Sequence, residues 1–302
     1  MSEIFDALSR DGDPYYAGAR RIPEHLFRYR GANSKYFDEE MKRLLLSHEI
    51  YCAPIDGQND PFDCKPILAE SPLREVNQLL KAVNRTRTTA SPEDLAKITG
   101  VRERKKFEKR MRPGPVAARS MIENKSQQYS QYRDKTCIAC FAEVWDSILM
   151  WSHYTNSHSG LCIQFEFRDP KGLPEITPPQ PVLYTATRTI LTTIDLINLS
   201  RASPFASEEV MKAAKKCTDA LLYEKSKEWS YEKEWRISAQ FGGRGYKSVE
   251  FLEPVGVIFG LNATEETINT VRKYAPSKTK LSRIAMHETE YRLVAHPLVG
   301  PV

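Results

Sequence analysis

The stretch Asp146–Phe167, D-S-I-L-M-W-S-H-Y-T-N-S-H-S-G-L-C-I-Q-F-E-F, constrains this chain most. Ile148, Leu149, Trp151 and Tyr154 recur at helical spacing. Asp146 ahead of them is a residue type whose carboxylate accepts from the free N–H groups of a first turn. Gly160 is the expected stop. Leu161, Ile163, Phe165 and Phe167 then alternate with Cys162, Gln164 and Glu166, the period of a strand with one buried face. The stretch therefore predicts a short helix, a glycine terminator and a buried strand. A packed helix needs the tryptophan. It does not need Ser152, His153, Tyr154 and His158 crowded onto the same turn and its exit.

The rest of the chain sets this unit among other strands. Glu24–Arg30 alternates, with Leu26, Arg28 and Arg30 on one face and Phe27 and Tyr29 on the other. Ser34–Ser47 reads as a helix and Glu49–Ala53 as a strand. Pro54–Cys64 is a turn-rich loop, in which Asn59 and Asp60 bond local backbone and Pro61 holds an extended approach. From Pro66 to Asp134 the strand signal gives way to charged, helical sequence, with a helix start at Ser91-Pro92. Lys135–Ala142 and Pro181–Thr185 read as strands, Ser207–Lys227 as a long helix capped by Ser207, and Glu228–Gln240 as a strand. On that last strand Trp229, Tyr231, Lys233, Trp235 and Ile237 share one face, and Glu232, Glu234 and Arg236 share the other. Lys247–Leu252, Val255–Gly260, Leu281–His287 and Tyr291–His296 are further strands, and Thr264–Tyr274 is a capped helix. Strands that do not alternate strictly with helices predict an α+β fold with a mixed or largely antiparallel core sheet. Residues 1–22 read as a flexible arm, and residues 23–302 as a single domain with a helical insertion at about 66–134.

Composition narrows the class. Hydrophobic residues make up 41% and charged residues 27%, as in a folded soluble protein. No apolar run is long enough to span a bilayer, and Met1–Arg20 lacks the pattern of a secretory signal. A cytoplasmic, non-membrane protein is the expectation. The net charge of +5 permits an acidic partner without demanding one. The six cysteines are sparse for a disulfide scaffold. Cys137 and Cys140 form a lone C-x-x-C, which fits small core residues on a strand better than a zinc site, so no metal is expected.

Three stretches carry more polar chemistry than packing explains: Phe27–Arg30, Trp151–His158 and Trp229–Arg236. The loop Asn59–Asp63 is a fourth that could line a pocket. Glu232, Glu234 and Arg236 fit an exposed face of alternating charge, or Arg236 pairing a carboxylate to satisfy it, or rigid carboxylates beside a cleft that act as a base or stabilise a developing cation. His153 and His158 lack the spacing of a helical metal pair. One fits a satisfied core histidine, and one fits a general acid or base, or a group that bonds a ligand phosphate. The basic run Arg102–Arg112 fits a solvated helix face, or a nucleic-acid contact through Arg102, Arg104, Lys105, Lys106, Lys109 and Arg110.

F-R-Y-R, N-D-P-F-D, L-M-W-S-H-Y-T-N-S-H-S-G-L-C-I-Q-F and W-S-Y-E-K-E-W-R, in this order, resemble the bacterial domain-of-unknown-function family 2971, from about Leu26 to Gly260 and without the helical block. That resemblance implies a cytoplasmic setting and no particular activity. The layout is also similar to that of ADP-ribosyltransferases, mixed α/β enzymes that bind NAD in a cleft. This second likeness implies that Arg28 or Arg30 contacts NAD and that Tyr154, with His153 nearby, lies on the nicotinamide side. It implies that Glu234 or Glu232 holds the ribose and stabilises its cation as nicotinamide leaves. Tyr29, Asn59, Asp60, Trp151, His158 and Arg236 complete the NAD-contacting set. An ADP-ribosyltransferase-like or NAD-cleaving enzyme, in the setting of a bacterial defence or toxin effector, is the leading expectation. Two others stand beside it. One is a nucleic-acid-binding or phosphodiester-cleaving protein using Asp60, Asp63, His153, His158 and Glu234. The other is a non-catalytic interaction module.

Overall fold

A sheet of ten strands forms the centre of the computed structural model, which describes residues 20–87, 115–168, 176–203, 205–239 and 243–298. The first half of the chain contributes β1 (His25–Arg30), α1 (Phe37–Leu46), β2 (Glu49–Pro54), β3 (Ile67–Ala69), α2 (Leu73–Arg87), α3 (Pro115–Lys135), β4 (Cys137–Ala142) and α4 (Ile148–Tyr154). Then come β5 (Leu161–Phe167), β6 (Gln180–Pro181), β7 (Leu183–Thr185), β8 (Ile190–Thr192), α5 (Thr193–Leu199), α6 (Glu208–Thr218) and β9 (Glu224–Ser226). The last elements are β10 (Glu234–Ala239), β11 (Gly245–Ser248), β12 (Leu252–Phe259), α7 (Glu265–Tyr274), β13 (Lys280–Met286) and β14 (Leu293–Pro297).

The main path of the sheet runs β11-β2-β4-β1-β5-β12-β13-β14, and β10 joins β4 to β6. Only β12 and β13 pair in parallel within it. The architecture is α+β with a largely antiparallel sheet, as the strand pattern predicts. Leu161, Ile163 and Phe165 of β5 pack with Leu26, Trp235 and Ile237 beneath α1 and α7. Cys162 points the other way, among Phe27, Tyr29 and Trp151 of α4. A further cluster under α3, α5 and α6 buries Ile138, Leu196, Cys217, Leu221 and Leu222. No helix among the described residues is long and apolar enough to cross a membrane.

The sheet forks at β4. Its whole length pairs with β10, from Glu234 opposite Ala142 to Ala239 opposite Cys137. The other edge is divided: β2 takes Cys137 and Ile138, and β1 takes Ala142. Between them the edge of β4 has no strand beside it. Unpaired backbone groups there need another partner. Arg28 of β1 supplies it, donating from Nη1 to the Cys140 carbonyl (3.1 Å) and from Nη2 to the Tyr51 carbonyl (3.3 Å).

Several local expectations change. The cap of α4 is Ser147, whose Oγ accepts from the Met150 amide, and not Asp146. The left-handed exit from α4 falls on Asn156, Ser157 and His158 (φ 52, 55 and 64°), so Gly160 is not its terminator. Gly160 is required for close approach instead, since a Cβ there would lie 2.0 Å from the Arg30 carbonyl oxygen. The helix expected over Ser207–Lys227 stops at Thr218, passes through a wide turn at Asp219–Tyr223 and ends as β9. The strand expected over Glu228–Gln240 begins only at Glu234; before it lie a 3-10 turn, Lys227–Glu232, and Lys233 in the left-handed region. The expected helical insertion is interrupted by β3, whose ladder partner β8 lies far along the chain. The Ser91-Pro92 helix start and the basic run from Arg102 to Arg112 lie outside the described residues. Within the expected arm, Arg20 pairs with Glu143 at 2.6 Å and Ile22 packs against the core.

Candidate functional site

Strand alternation on β10 sends Trp235 and Ile237 to one side and Glu234 and Arg236 to the other. Both sides are covered, and every residue of β10 is buried. The carboxylates therefore do not form an exposed charged face. The Arg236 guanidinium is wholly enclosed and grips Asp63 through two nitrogens (2.9 and 2.7 Å) and Glu234 through two more contacts (2.7 and 3.0 Å). Lys225 of β9 places its ammonium 2.5 Å from Glu232 and 3.0 Å from Glu234. The Lys233 turn brings Glu232 to the same side as Glu234 although Glu232 is not on the strand.

The buried set holds three carboxylates (Asp63, Glu232, Glu234) and two cations (Lys225, Arg236). Unpaired buried charge is costly, so the odd carboxylate matters. Burial pushes the Glu234 carboxyl up, but Arg236 and Lys225 outweigh it and hold this group well below the usual range. Burial also raises Glu232; Lys225 offsets only part of that, and Glu234 adds to it. Of the two glutamates, Glu232 is thus the one that retains a proton more readily. The Tyr154 hydroxyl donates to its Oε1 and accepts from the Asn59 amide (3.1 Å). Burial and then the Glu232 charge keep that phenol protonated.

A cavity of about 180 Å³ opens between this network and the fork. Arg28, Asn59, Cys140, Tyr154, Glu232 and Glu234 line it. Arg28 is buried and, among the described residues, has no carboxylate within ion-pair distance and no hydrogen-bond partner for its Nε. Burial, then Arg30, pull its pKa down. Arg30 is also at the cavity but is paired with Glu40 at 2.7 Å. Tyr29 lines the cavity with its hydroxyl committed to the Val144 carbonyl.

The other expected site residues stand elsewhere. Trp151 is fully buried, donating to the Trp145 carbonyl (2.6 Å). His158 stacks on Trp151 with Nε2 3.1 Å from Ser152 Oγ, and burial lowers its pKa. His153 is exposed, its Nδ1 3.3 Å from the Tyr231 hydroxyl. Asp60 caps a turn by accepting from the Phe62 amide (2.9 Å). Arg236 lies behind Glu234. None of these five is among the residues lining the cavity. The set Asp60, Asp63, His153, His158 and Glu234 is therefore not gathered at one point, and no group of metal-ligating side chains occurs among the described residues. Lys225 is the residue that sequence reading missed. Its only signal is a lysine two residues after the apolar run A-L-L-Y, inside what looks like a continuing helix.

Residues 150–237 match the family model described as "Protein of unknown function (DUF2971)". Both the W-S-H-Y and the Y-E-K-E-W-R motifs fall inside that segment, and the segment carries the family's signature. No curated protein and no solved structure matches the chain.

Proposed function

We propose that the chain is an enzyme that cleaves the N-glycosidic bond of NAD, in the manner of an ADP-ribosyltransferase or NAD glycohydrolase, with Glu232 as the working carboxylate. The observation that carries this is the pairing of opposite unbalanced charges across one cavity: Arg28, a buried cation without a carboxylate, and Glu232, the carboxylate in excess of its cations. NAD carries a cationic pyridinium ring on one side of its first ribose and an anionic pyrophosphate on the other, so it complements both. Glu234 is an inferior candidate, because Arg236 and Lys225 already neutralise it.

When the bond between the ribose carbon and the pyridinium nitrogen breaks, the electron pair leaves with neutral nicotinamide and the sugar becomes cationic. A fixed anion beside the sugar lowers that barrier. Tyr154 and Lys225 each hold one oxygen of Glu232, which fixes its position. Water or an acceptor hydroxyl then adds to the sugar and gives up its proton, for which Glu232 is the base. The cavity is smaller than the roughly 300–1,000 Å³ of ordinary ligand clefts, so it takes the nicotinamide riboside end with the adjoining phosphate towards Arg28, and the remainder lies over the rim.

The test is nicotinamide release, with NAD-induced thermal stabilisation read in parallel. Wild type releases nicotinamide and is stabilised. Glu232→Gln is stabilised without release, and Arg28→Met loses the stabilisation. If NAD neither stabilises nor is consumed by wild type, the proposal fails.

A further inference from the structure

We propose that a second cavity, back to back with the first across β9, binds a phosphate monoester carrying a flat ring, of the mononucleotide class. It has a volume of about 240 Å³ and is lined by Phe62, Lys65 and Pro66, by 185–188 and by Glu224, Lys225 and Ser226, among others. On β9 the side chains alternate. Lys225 turns its ammonium to Glu232 and Glu234, and its neighbours Glu224 and Ser226 border the second cavity. One strand therefore separates two sites.

The charge of this cavity suits an anion. Lys65 donates to the Pro61 carbonyl (3.1 Å), and Arg188 donates through Nε and Nη2 to the Lys65 carbonyl (2.9 and 2.5 Å). Neither cation has a carboxylate partner among the described residues, and Nη1 of Arg188 bonds nothing there. The one carboxylate in the lining, Glu224, is held by the Thr189 amide (2.8 Å) and hydroxyl (2.6 Å). Two uncompensated cations against one occupied carboxylate leave a net positive site. Guanidinium groups pair with phosphate oxygens through parallel N–H donors.

The same cavity offers a ring surface. Phe62 is 59% exposed, and the Arg188 guanidinium lies 5.7 Å from its ring centroid. Unlike the exposed Tyr36 beneath Lys35, Phe62 borders a cavity, so its open ring edge and face adjoin the space that the cations line. A heterocycle stacking on Phe62 places its phosphate within reach of Lys65 and Arg188.

Calorimetric titration of the full chain with adenosine monophosphate, adenosine and inorganic phosphate tests this. Adenosine monophosphate is expected to bind more tightly than either fragment. Phe62→Ala and Arg188→Gln are each expected to weaken it about tenfold, whereas Arg28→Met leaves it unchanged. Phe62 is exposed, so Phe62→Ala reports even if Arg188→Gln disturbs the turn it braces. Absence of binding to wild type overturns the proposal. So does binding that ignores Phe62→Ala, or that is lost with Arg28→Met, since the ligand would then occupy the first cavity. The inference does not rest on NAD cleavage, and loss of nicotinamide release leaves it standing.

Discussion

The Tyr154 hydroxyl donates to the Glu232 carboxylate, joining the end of α4 to the turn before β10 across 78 residues of chain. Lys225 holds the opposite oxygen of the same carboxylate. Tyr154→Phe removes one of these two constraints and leaves the ring in place. Hydrogen bonds to charged groups contribute about 1.5–3 kcal/mol, which corresponds to about a tenfold to hundredfold loss of turnover. Nicotinamide release should fall by that factor at a temperature where circular dichroism shows the variant still folded. An unchanged rate would remove Tyr154 from the site.

Arg236 has a different task. It satisfies Asp63 and Glu234 together and donates to the Leu222 carbonyl (2.8 Å), far from solvent. Arg236→Leu leaves two buried carboxylates short of a cation. Breaking a buried pair in this way costs about 3–5 kcal/mol. Urea unfolding should show that loss, and Arg236→Lys should recover only part of it, since one ammonium cannot reproduce the two-pronged contact. Full stability in Arg236→Leu would mean that the network is not needed to hold the fold.

The strands of the main sheet were legible because their signals are local: alternation in β1, β5 and β10 is set by which face each residue buries. The grouping of Arg28, Asn59, Tyr154 and the two glutamates was legible as well, since each sits in a stretch too polar for its packing. What stayed hidden depends on partners distant in sequence. Lys225 looks like one more helix lysine until β7 pairs with it in β9. That Arg236 pairs a carboxylate is a reading its own strand offers, but Asp63 arrives from a loop 173 residues earlier. His158 and Trp151 are expected from the sequence layout to contact NAD, but they stack on one another and neither lines the cavity. The fork at β4 has no sequence signature, because it records where β1 and β2 part company.

Gly160 tests how tightly the motif-bearing loop is seated. Its amide donates to the Thr155 carbonyl (2.8 Å), and its carbonyl accepts from Gly260 (2.9 Å). An alanine Cβ would lie 2.0 Å from the Arg30 carbonyl oxygen and 3.0 Å from Gly31 Cα. These are backbone atoms of β1 and its exit, which cannot swing away as a side chain can. Gly160→Ala should cost at least about 3 kcal/mol, the upper end of ordinary overpacking, and should displace the strand that carries Arg28. Denaturant unfolding gives the first quantity and NAD-induced stabilisation the second. A variant as stable as wild type would show that β1 and β5 are not held this close.

Glu232 and Glu234 should leave opposite marks on stability against pH. Glu234 titrates below its ordinary 4.5, so the unfolded chain binds the proton more tightly, and its contribution is present above that value and lost as pH falls through the folded one. Glu232 titrates above its ordinary 4.5, so the folded chain binds the proton more tightly, and stability is lost as pH rises through the folded value. Glutamine mimics the protonated form of Glu232 and can still accept from Tyr154, while Lys225 keeps Glu234. Glu232→Gln should therefore be at least as stable as wild type at neutral pH, with an advantage that grows as pH rises above 4.5 and then levels off. Urea midpoints collected from about pH 5 to about pH 8 measure that difference. A carboxylate that weakens the fold it sits in is retained for something other than folding. If Glu232→Gln is instead less stable across this range, Glu232 is a structural partner of Lys225, and the case for its chemistry falls with it.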